Sequence, residues 1–325
     1  MICLGIESTA HTFGIGIIDD KGNVLSNIKD TYKAKTGSGI VPQEAKEHHE
    51  KLKKKILKDA LKKAGLGIND IDLIAFSQGP GLPPCLWTGM KFAKKISEEN
   101  KIPIIGVNHP IGHLEIAKLL TDVKNPVFIY VSGGNTQIIA YTSGRYRIFG
   151  ETEDIAIGNA LDTFARNVGL PNPGGPEIEK LAKKGKYIEL PYVVKGMDLS
   201  FSGIVTSAEK LFKEGKKIED ICFSLQETCF SMLVEITERA LAHTGKKEVL
   251  LTGGVAANRR LNKMLDIMCK ERGCVFKSVP FEYSGDNGLM IAWSGLLAYK
   301  SGQRTKKFEP ISRWRIDEVE ITWMK

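Results

Sequence analysis

The chain has 325 residues, of which 42% are hydrophobic and 26% charged, and carries a formal net charge of +8. That length allows one large domain or two lobes with substantial cores, and the composition is that of a soluble globular protein. No apolar run reaches membrane-spanning length, which excludes a helical membrane protein.

The opening residues Met1–Glu7 lack the basic start and long apolar run of a signal peptide and read as a first core strand, so a cytoplasmic protein is expected. Ser8 to Thr12 make a small polar turn, Phe13 to Ile18 return as a strand, and Asp19-Asp20-Lys21-Gly22 turns again. Ala45, Leu52, Ile56, Ala60 and Ala64 recur at helical spacing, which predicts a helix over 43–64 with Gly65 as its C-cap. A buried strand is expected over 71–76, ending in the turn Ser77-Gln78-Gly79-Pro80-Gly81. A helix to about Asn100 and a strand over 104–107 follow.

Near Asn125-Pro126 the plan restarts. Val127–Val131 is a strand, Ser132-Gly133-Gly134-Asn135-Thr136 a polar turn, and Gln137–Tyr141 the return strand. The layout repeats the opening hairpin. It predicts two lobes built on one plan, 1–125 and 126–325, with the tail after Arg304 packing back on a lobe surface. A strand over 249–252 then feeds Gly253-Gly254, and a helix is expected over 259–272.

Three glycine turns each follow a buried strand: Gly79-Pro80-Gly81, Ser132-Gly133-Gly134-Asn135 and Gly253-Gly254. Successive backbone N–H groups in such turns can cradle phosphate oxygens. A single turn is equally a plain tight turn; two of them in repeated halves point to a nucleotide held between lobes. No Gly-x-x-x-x-Gly-Lys-Ser/Thr and no strand-to-helix Gly-x-Gly-x-x-Gly is present, which argues against P-loop and dinucleotide-binding domains.

Asn108-His109-Pro110-Ile111-Gly112-His113 starts a helix, with Asn108 as its cap and Pro110 in the first turn. Residues four apart share a helix face, so His109 and His113 have metal-ligand spacing. The same spacing also suits histidines that cap the helix or pair with carboxylates. Pro110 stands where a zincin carries its general-base Glu, which disfavours a metalloprotease. Asp286, in the glycine-bounded loop Gly285-Asp286-Asn287-Gly288, is expected to complete a metal site across the cleft. Tyr130 reads either as a strand core aromatic or as a phenolate ligand, which would favour a hard, iron-like ion. Glu7-Ser8-Thr9 can face a metal-bound phosphate, while Asp162 and Glu179 read as ribose contacts or plain surface acids.

The six cysteines include no Cys-x-x-Cys pair and read as reduced, buried thiols. Lys51, Lys53, Lys54, Lys55, Lys58, Lys62 and Lys63 concentrate positive charge, which suits either an RNA partner or a solvated helix face.

Taken in order, a set of segments resembles the TsaD-type family of tRNA threonylcarbamoyladenosine synthesis, most closely the archaeal and eukaryotic catalytic subunit of the KEOPS complex. These are Gly5–Thr12, Gly79–Leu82, Asn108–His113, Tyr130–Thr136, Gly158–Phe164, Pro173–Gly175, Leu199–Gly203, Gly253–Asn258, Asp286–Gly288 and Arg315–Val319. The resemblance implies an α/β, two-lobed actin-like ATPase fold (acetate kinase, sugar kinase, Hsp70, actin) with duplicated ribonuclease H-like lobes. It implies transfer of threonylcarbamoyl from threonylcarbamoyl-adenylate to the exocyclic N6 amine of the tRNA adenosine 3′ of the anticodon. It further implies a metal held by His109, His113, Tyr130 and Asp286, iron ahead of zinc. Nucleotide or adenylate contacts fall to Tyr130, Val131, Ser132, Gly133, Gly134, Asp162, Gly175, Glu179 and Asn258. Implied ligands and partners are ATP or the adenylate, magnesium, tRNA, a small protein kinase and other KEOPS-type subunits, with no membrane. The helix after Gly79 departs from the pattern, with Trp87, Thr88, Lys91, Lys94 and Lys95 where relatives show arginine and small residues. Two rival readings are a small-molecule kinase of the same fold and a non-catalytic nucleotide switch.

Overall fold

The structure, a computed structural model, describes residues 1–33 and 39–324. The chain divides into two compact units. The first comprises Met1–Leu119, Thr142–Tyr146 and Asp286–Lys325, and the second Leu120–Tyr141 and Arg147–Gly285. Each is an α/β unit around one mixed sheet.

In the first unit β1 (Ile2–Glu7), β2 (Thr12–Asp19) and β3 (Val24–Thr31) form an antiparallel meander. Helix α1 (Pro42–Ala64) leads to β4 (Leu73–Gly79), α2 (Pro83–Asn100), β5 (Ile104–Asn108) and α3 (His109–Thr121). Strand order is β3-β2-β1-β4-β5, with β4 parallel to β1 and β5 parallel to β4. Gly65, at φ +68°, ends α1 as expected. Strand β4 continues through Ser77, Gln78 and Gly79, where the sequence suggested a turn, because β5 and the C-terminal tail supply partners. Ile311 N–H donates to the Gln78 carbonyl at 2.9 Å, and the Gln78 amide donates to the carbonyls of Lys307 and Glu309.

The second unit contains β6 (Val127–Val131), β7 (Thr136–Thr142), β8 (Arg145–Glu151), α4 (Ile157–Asn167) and α5 (Gly174–Ala182). A small ribbon of β9 (Val194–Lys195) and β10 (Asp198–Leu199) precedes α6 (Ser202–Lys213) and α7 (Ile218–Thr244). Then come β11 (Glu248–Thr252), α8 (Arg259–Glu271), β12 (Val275–Ser278) and α9 (Phe281–Ser284). Strand order is β12-β11-β6-β7-β8, with β7 antiparallel and β11 parallel to β6. Position for position this repeats the first sheet: β6 stands for β1, β7 for β2, β11 for β4 and β12 for β5. The repeat proposed from two hairpins extends to all five strands.

The units do not follow the single cut at residue 125. The final helix α10 (Gly288–Lys300) and the tail belong to the first unit. The reason is steric. A Cβ on Gly5 would lie 2.3 Å from Ala292 N, one on Gly16 2.2 Å from Leu289 N, and one on Gly288 2.1 Å from Gly16 N. Helix α10 therefore rests on β1 and β2 at backbone contact distance, which only glycine allows. The tail is anchored at the far end by Trp323, whose indole N–H donates to buried Glu115 at 3.1 Å.

Of the cysteines, five are buried and Cys274 is half-buried. Among the described residues no helix is long and apolar enough to cross a membrane.

Two outcomes follow from this packing. Gly16→Ala drives a methyl into the α10 backbone, so it lowers unfolding free energy by about 3 kcal/mol or more in a urea titration, or prevents folding. His49 is fully buried on α1, with Nε2 3.1 Å from the Ala10 carbonyl. Burial, then the neighbouring His48, lowers its pKa from 6.5 to about 4. The unfolded histidine takes a proton near 6.5 and the folded one does not, so this contribution is intact above pH 6.5 and is lost as pH falls towards 4. Its ceiling is about 3 kcal/mol. Denaturant titrations at pH 7 and pH 5 show a smaller loss for His49→Gln than for the parent, since the amide still reaches Ala10 and does not titrate.

Candidate metal centre and phosphate loop

Helix α3 opens where the sequence placed it. The Asn108 side chain accepts the Ile111 N–H at 3.2 Å, which caps the first turn. His109 and His113 then lie one turn apart on one face, both buried, with ring centroids 4.8 Å apart. Asp286 reaches them from the residue before the α10 cap. Asn287 accepts the Met290 N–H at 3.2 Å and fixes the start of that helix.

Asp286 Oδ1 lies 3.2 Å from His113 Nε2 and 3.5 Å from His109 Nε2. The three side chains offer one donor atom each, all within 4.8 Å of one another. Ligands about 2.1 Å from a tetrahedral ion are separated by about 3.4 Å, so the two measured distances are compatible with donors to one ion as well as with direct His–Asp pairing. All three residues belong to the first unit. The expectation that Asp286 comes from the opposite lobe is therefore corrected: α10 packs on β1 and β2 and carries Asp286 with it.

The charges around the donors agree with a cation. Burial lowers the His109 pKa, but the neighbouring carboxylates of Glu7 and Asp286 outweigh it and raise the value to about 9. Burial keeps His113 below its ordinary value, against the hydrogen bond it donates to Asp286. Asp286 is held well below the usual carboxylate range: burial opposes this, and the His109 charge and the His113 hydrogen bond prevail. Two carboxylates and one imidazolium leave an excess negative charge in a largely buried place, which a divalent ion in place of the proton would reverse. The Lys29 ammonium, which the sequence gave no reason to single out, donates to the Asp286 carbonyl at 3.0 Å.

Glu7 does not stand free to face a phosphate. Its Oε1 accepts the Thr9 N–H and hydroxyl, and its Oε2 lies 3.0 Å from His109 Nδ1. This pairing joins residues 102 positions apart, so no local signal announced it.

In the second unit, β6 ends in the Ser132–Asn135 turn, closed by Ser132 N–H donating to the Asn135 carbonyl at 2.8 Å. The Ser132 hydroxyl accepts the N–H groups of Gly134 and Asn135. Tyr130 is buried on β6, and its hydroxyl accepts the Asn135 side-chain amide at 3.4 Å. Gly253, at φ +95°, follows β11 beside β6, where a Cβ would meet the Val131 carbonyl at 2.3 Å. The two glycine turns thus sit at the carboxyl ends of neighbouring parallel strands, where open α/β sheets bind their ligands. Helix α4 starts against them: Gly158 N–H donates to the Ser132 carbonyl at 3.2 Å.

The other sequence candidates hold structural posts nearby. Asp162 accepts the Gly174 N–H at 2.7 Å, Glu179 accepts the Arg259 N–H at 3.1 Å, and Asn258 caps α8 through the N–H groups of Arg260 and Leu261. Gly175 lies in the first turn of α5, where a Cβ would meet Leu161 Cδ1 at 3.9 Å. Asp154, unremarked in the sequence, accepts from the Phe201 and Ser202 N–H groups and holds the start of α6.

Gly133 and Gly134 differ from the packing glycines. Neither has positive φ, and an added Cβ at either meets nothing within 4 Å among the described residues. Neither conformation nor packing demands glycine there.

Sheets, strand order and repeat define an actin-like α/β ATPase fold. Solved structures agree. HypF from T. kodakarensis superposes on 95% of the chain, and 49% of its own length, with a TM-score of 0.64 at 16% identity. The activator of the 2-hydroxyisocaproyl-CoA dehydratase from Clostridium difficile with bound ADPNP matches 94% of this chain and 100% of its own, with a TM-score of 0.56 at 12% identity. Sequence comparison goes further. A family model described as tRNA N6-adenosine threonylcarbamoyltransferase matches residues 23–293. The Thermococcus kodakarensis protein of that name is 56% identical over 99% of this chain and 100% of its own, and the Methanopyrus kandleri one 51% identical over 99% and 96%. A Methanocaldococcus jannaschii relative, named a probable bifunctional tRNA threonylcarbamoyladenosine biosynthesis protein, is 54% identical over the whole of this chain, which spans 61% of that longer protein. The chain belongs to the tRNA N6-adenosine threonylcarbamoyltransferase family, a family of acyltransferases.

The open glycines give a direct test. Gly133→Ala and Gly134→Ala change unfolding free energy by less than about 0.5 kcal/mol. Each weakens binding of ATP by about tenfold in calorimetry, because the methyl occupies the path of a phosphate. Unchanged affinity in both variants removes the loop from the binding site.

Proposed function

We propose that this chain transfers threonylcarbamoyl from threonylcarbamoyl-adenylate to the N6 amine of the adenosine 3′ of the tRNA anticodon. Membership of the family, at 51% and 56% identity to the two relatives named for that activity over nearly the whole chain, carries the reading. The amine nitrogen bonds to the carbamoyl carbon, the bond from that carbon to the phosphate oxygen breaks, AMP leaves, and the amine gives up a proton. The reaction joins two held substrates, so positioning supplies much of its rate.

In this proposal the adenylate, or ATP, binds in the second unit. Tyr130, Val131, Ser132, Gly133 and Gly134 present the backbone to the phosphate. Asp162, Gly175, Glu179 and Asn258 flank the nucleoside. The open space beside Gly133 and Gly134 supports this assignment. In the first unit His109, His113 and Asp286 hold one metal ion, iron or zinc, and the donor spacing and the excess negative charge support that. When bound, such an ion supplies Lewis-acid stabilisation of charge developing on phosphate or carbamoyl oxygens. A small protein kinase and other KEOPS-type subunits are proposed as partners. The longer relative named bifunctional supports a second activity working beside this one.

One reconstitution tests the reading: synthetic threonylcarbamoyl-adenylate, tRNA with the matching anticodon loop, and the protein with and without partner subunits. Wild type yields modified adenosine by mass spectrometry. His109→Ala and His113→Ala keep the far-ultraviolet circular dichroism of the parent, lose bound metal by elemental analysis, and fall to background. Undiminished modification by the metal-free variants overturns the metal's role, and no transfer by wild type with its partners overturns the activity.

A further inference from the structure

Glu7 ends β1 fully buried, and its two oxygens do different things. Oε1 accepts the Thr9 N–H at 2.7 Å and the Thr9 hydroxyl at 2.5 Å, which closes the turn after the strand. Oε2 takes no part in that turn and lies 3.0 Å from His109 Nδ1. The other nitrogen of the same ring, Nε2, faces Asp286 Oδ1 at 3.5 Å. An imidazole that donates its Nδ1–H to a carboxylate is fixed in ring orientation and tautomer, and its Nε2 lone pair is left for a cation.

We propose that Glu7 is a positioning residue for the metal site: its Oε2 holds His109 as the Nδ1–H tautomer, with Nε2 aimed at the place it shares with His113 and Asp286. The inference rests on the metal reading above. The geometry favours it over a purely local role, because closing the Glu7–Thr9 turn needs only Oε1. The Thr9 hydroxyl is the weaker acceptor for that N–H, being uncharged and more distant. It lies 3.3 Å from His109 Nδ1, against 3.0 Å for the Glu7 Oε2, and donates its own hydrogen to Glu7. Residues on β1, α3 and the start of α10 are thus tied into one line, Thr9–Glu7–His109–Asp286, all within the first unit.

The test measures metal affinity rather than turnover, using zinc(II) and cobalt(II) on the full chain. Glu7→Ala weakens both ions by about 10- to 100-fold. Glu7→Gln has a single carbonyl oxygen and cannot serve both Thr9 and His109, so it weakens them less, by about three- to tenfold. Thr9→Ala, which disturbs the turn and leaves Oε2 in place, stays within about twofold of wild type. The visible spectrum of the cobalt form changes in the Glu7 variants and not in Thr9→Ala. Nitrogen-15 spectra of the zinc-loaded protein show His109 losing its fixed Nδ1–H in Glu7→Gln. Should Glu7→Ala fail to fold, Glu7→Gln and Thr9→Ala decide the matter alone. Folded Glu7 variants that bind both ions as wild type does overturn the inference and leave the metal reading standing. Wild type that binds neither ion through His109 and His113 overturns both.

Discussion

The contact on which the first unit depends is the approach of α10 to the backbone of β1 and β2. With a Cβ at Gly5, Gly16 or Gly288, the helix would be pushed off the sheet by more than an ångström. Its first residues would move with it, and Asp286 stands just before the Asn287 cap. One steric allowance therefore closes the core of the unit and delivers a carboxylate to two histidines far away in sequence. Interiors pack densely enough that this placement is rigid.

The electrostatics of the centre follow from that placement. Glu7 and Asp286 are brought to opposite edges of His109, and both carboxylates lie where water gives little relief. Burial alone would strip the proton from His109; two carboxylates keep it there. The protein has thus assembled a place that demands positive charge and has arranged nitrogen and oxygen donors around it. The second unit uses the opposite means. Its loop after β6 carries two glycines that nothing among the described residues presses on.

Much of this was legible in the residues. Strands with turns between them announced both hairpins, because apolar runs and glycine punctuation are local properties. The His109–His113 pair was legible because a helix fixes which residues share a face. The repeated sheet was visible only in outline, since β4, β5, β11 and β12 join it by pairings that no local pattern encodes. The end of β4 was misjudged for the same reason: Ser77-Gln78-Gly79 resembles a turn until the tail arrives to pair with it. Asp162, Glu179 and Asn258 looked like ligand contacts, and the structure gives each a backbone amide to hold as well.

The sequence by itself determined the two hairpins, the helix that carries His109 and His113, the fold class, the family, and which side chains offer metal-ligating or phosphate-cradling chemistry, since these are written in spacing and residue type. The tertiary structure alone decided that Glu7 meets His109 and which unit supplies Asp286. Asp286 belongs with the first unit rather than the second, and Glu7 stands behind His109. Both depend on chain segments that return to one sheet after long excursions, and on how close three glycines let a helix approach it. Distances of that kind arise from packing, which no window along the chain contains.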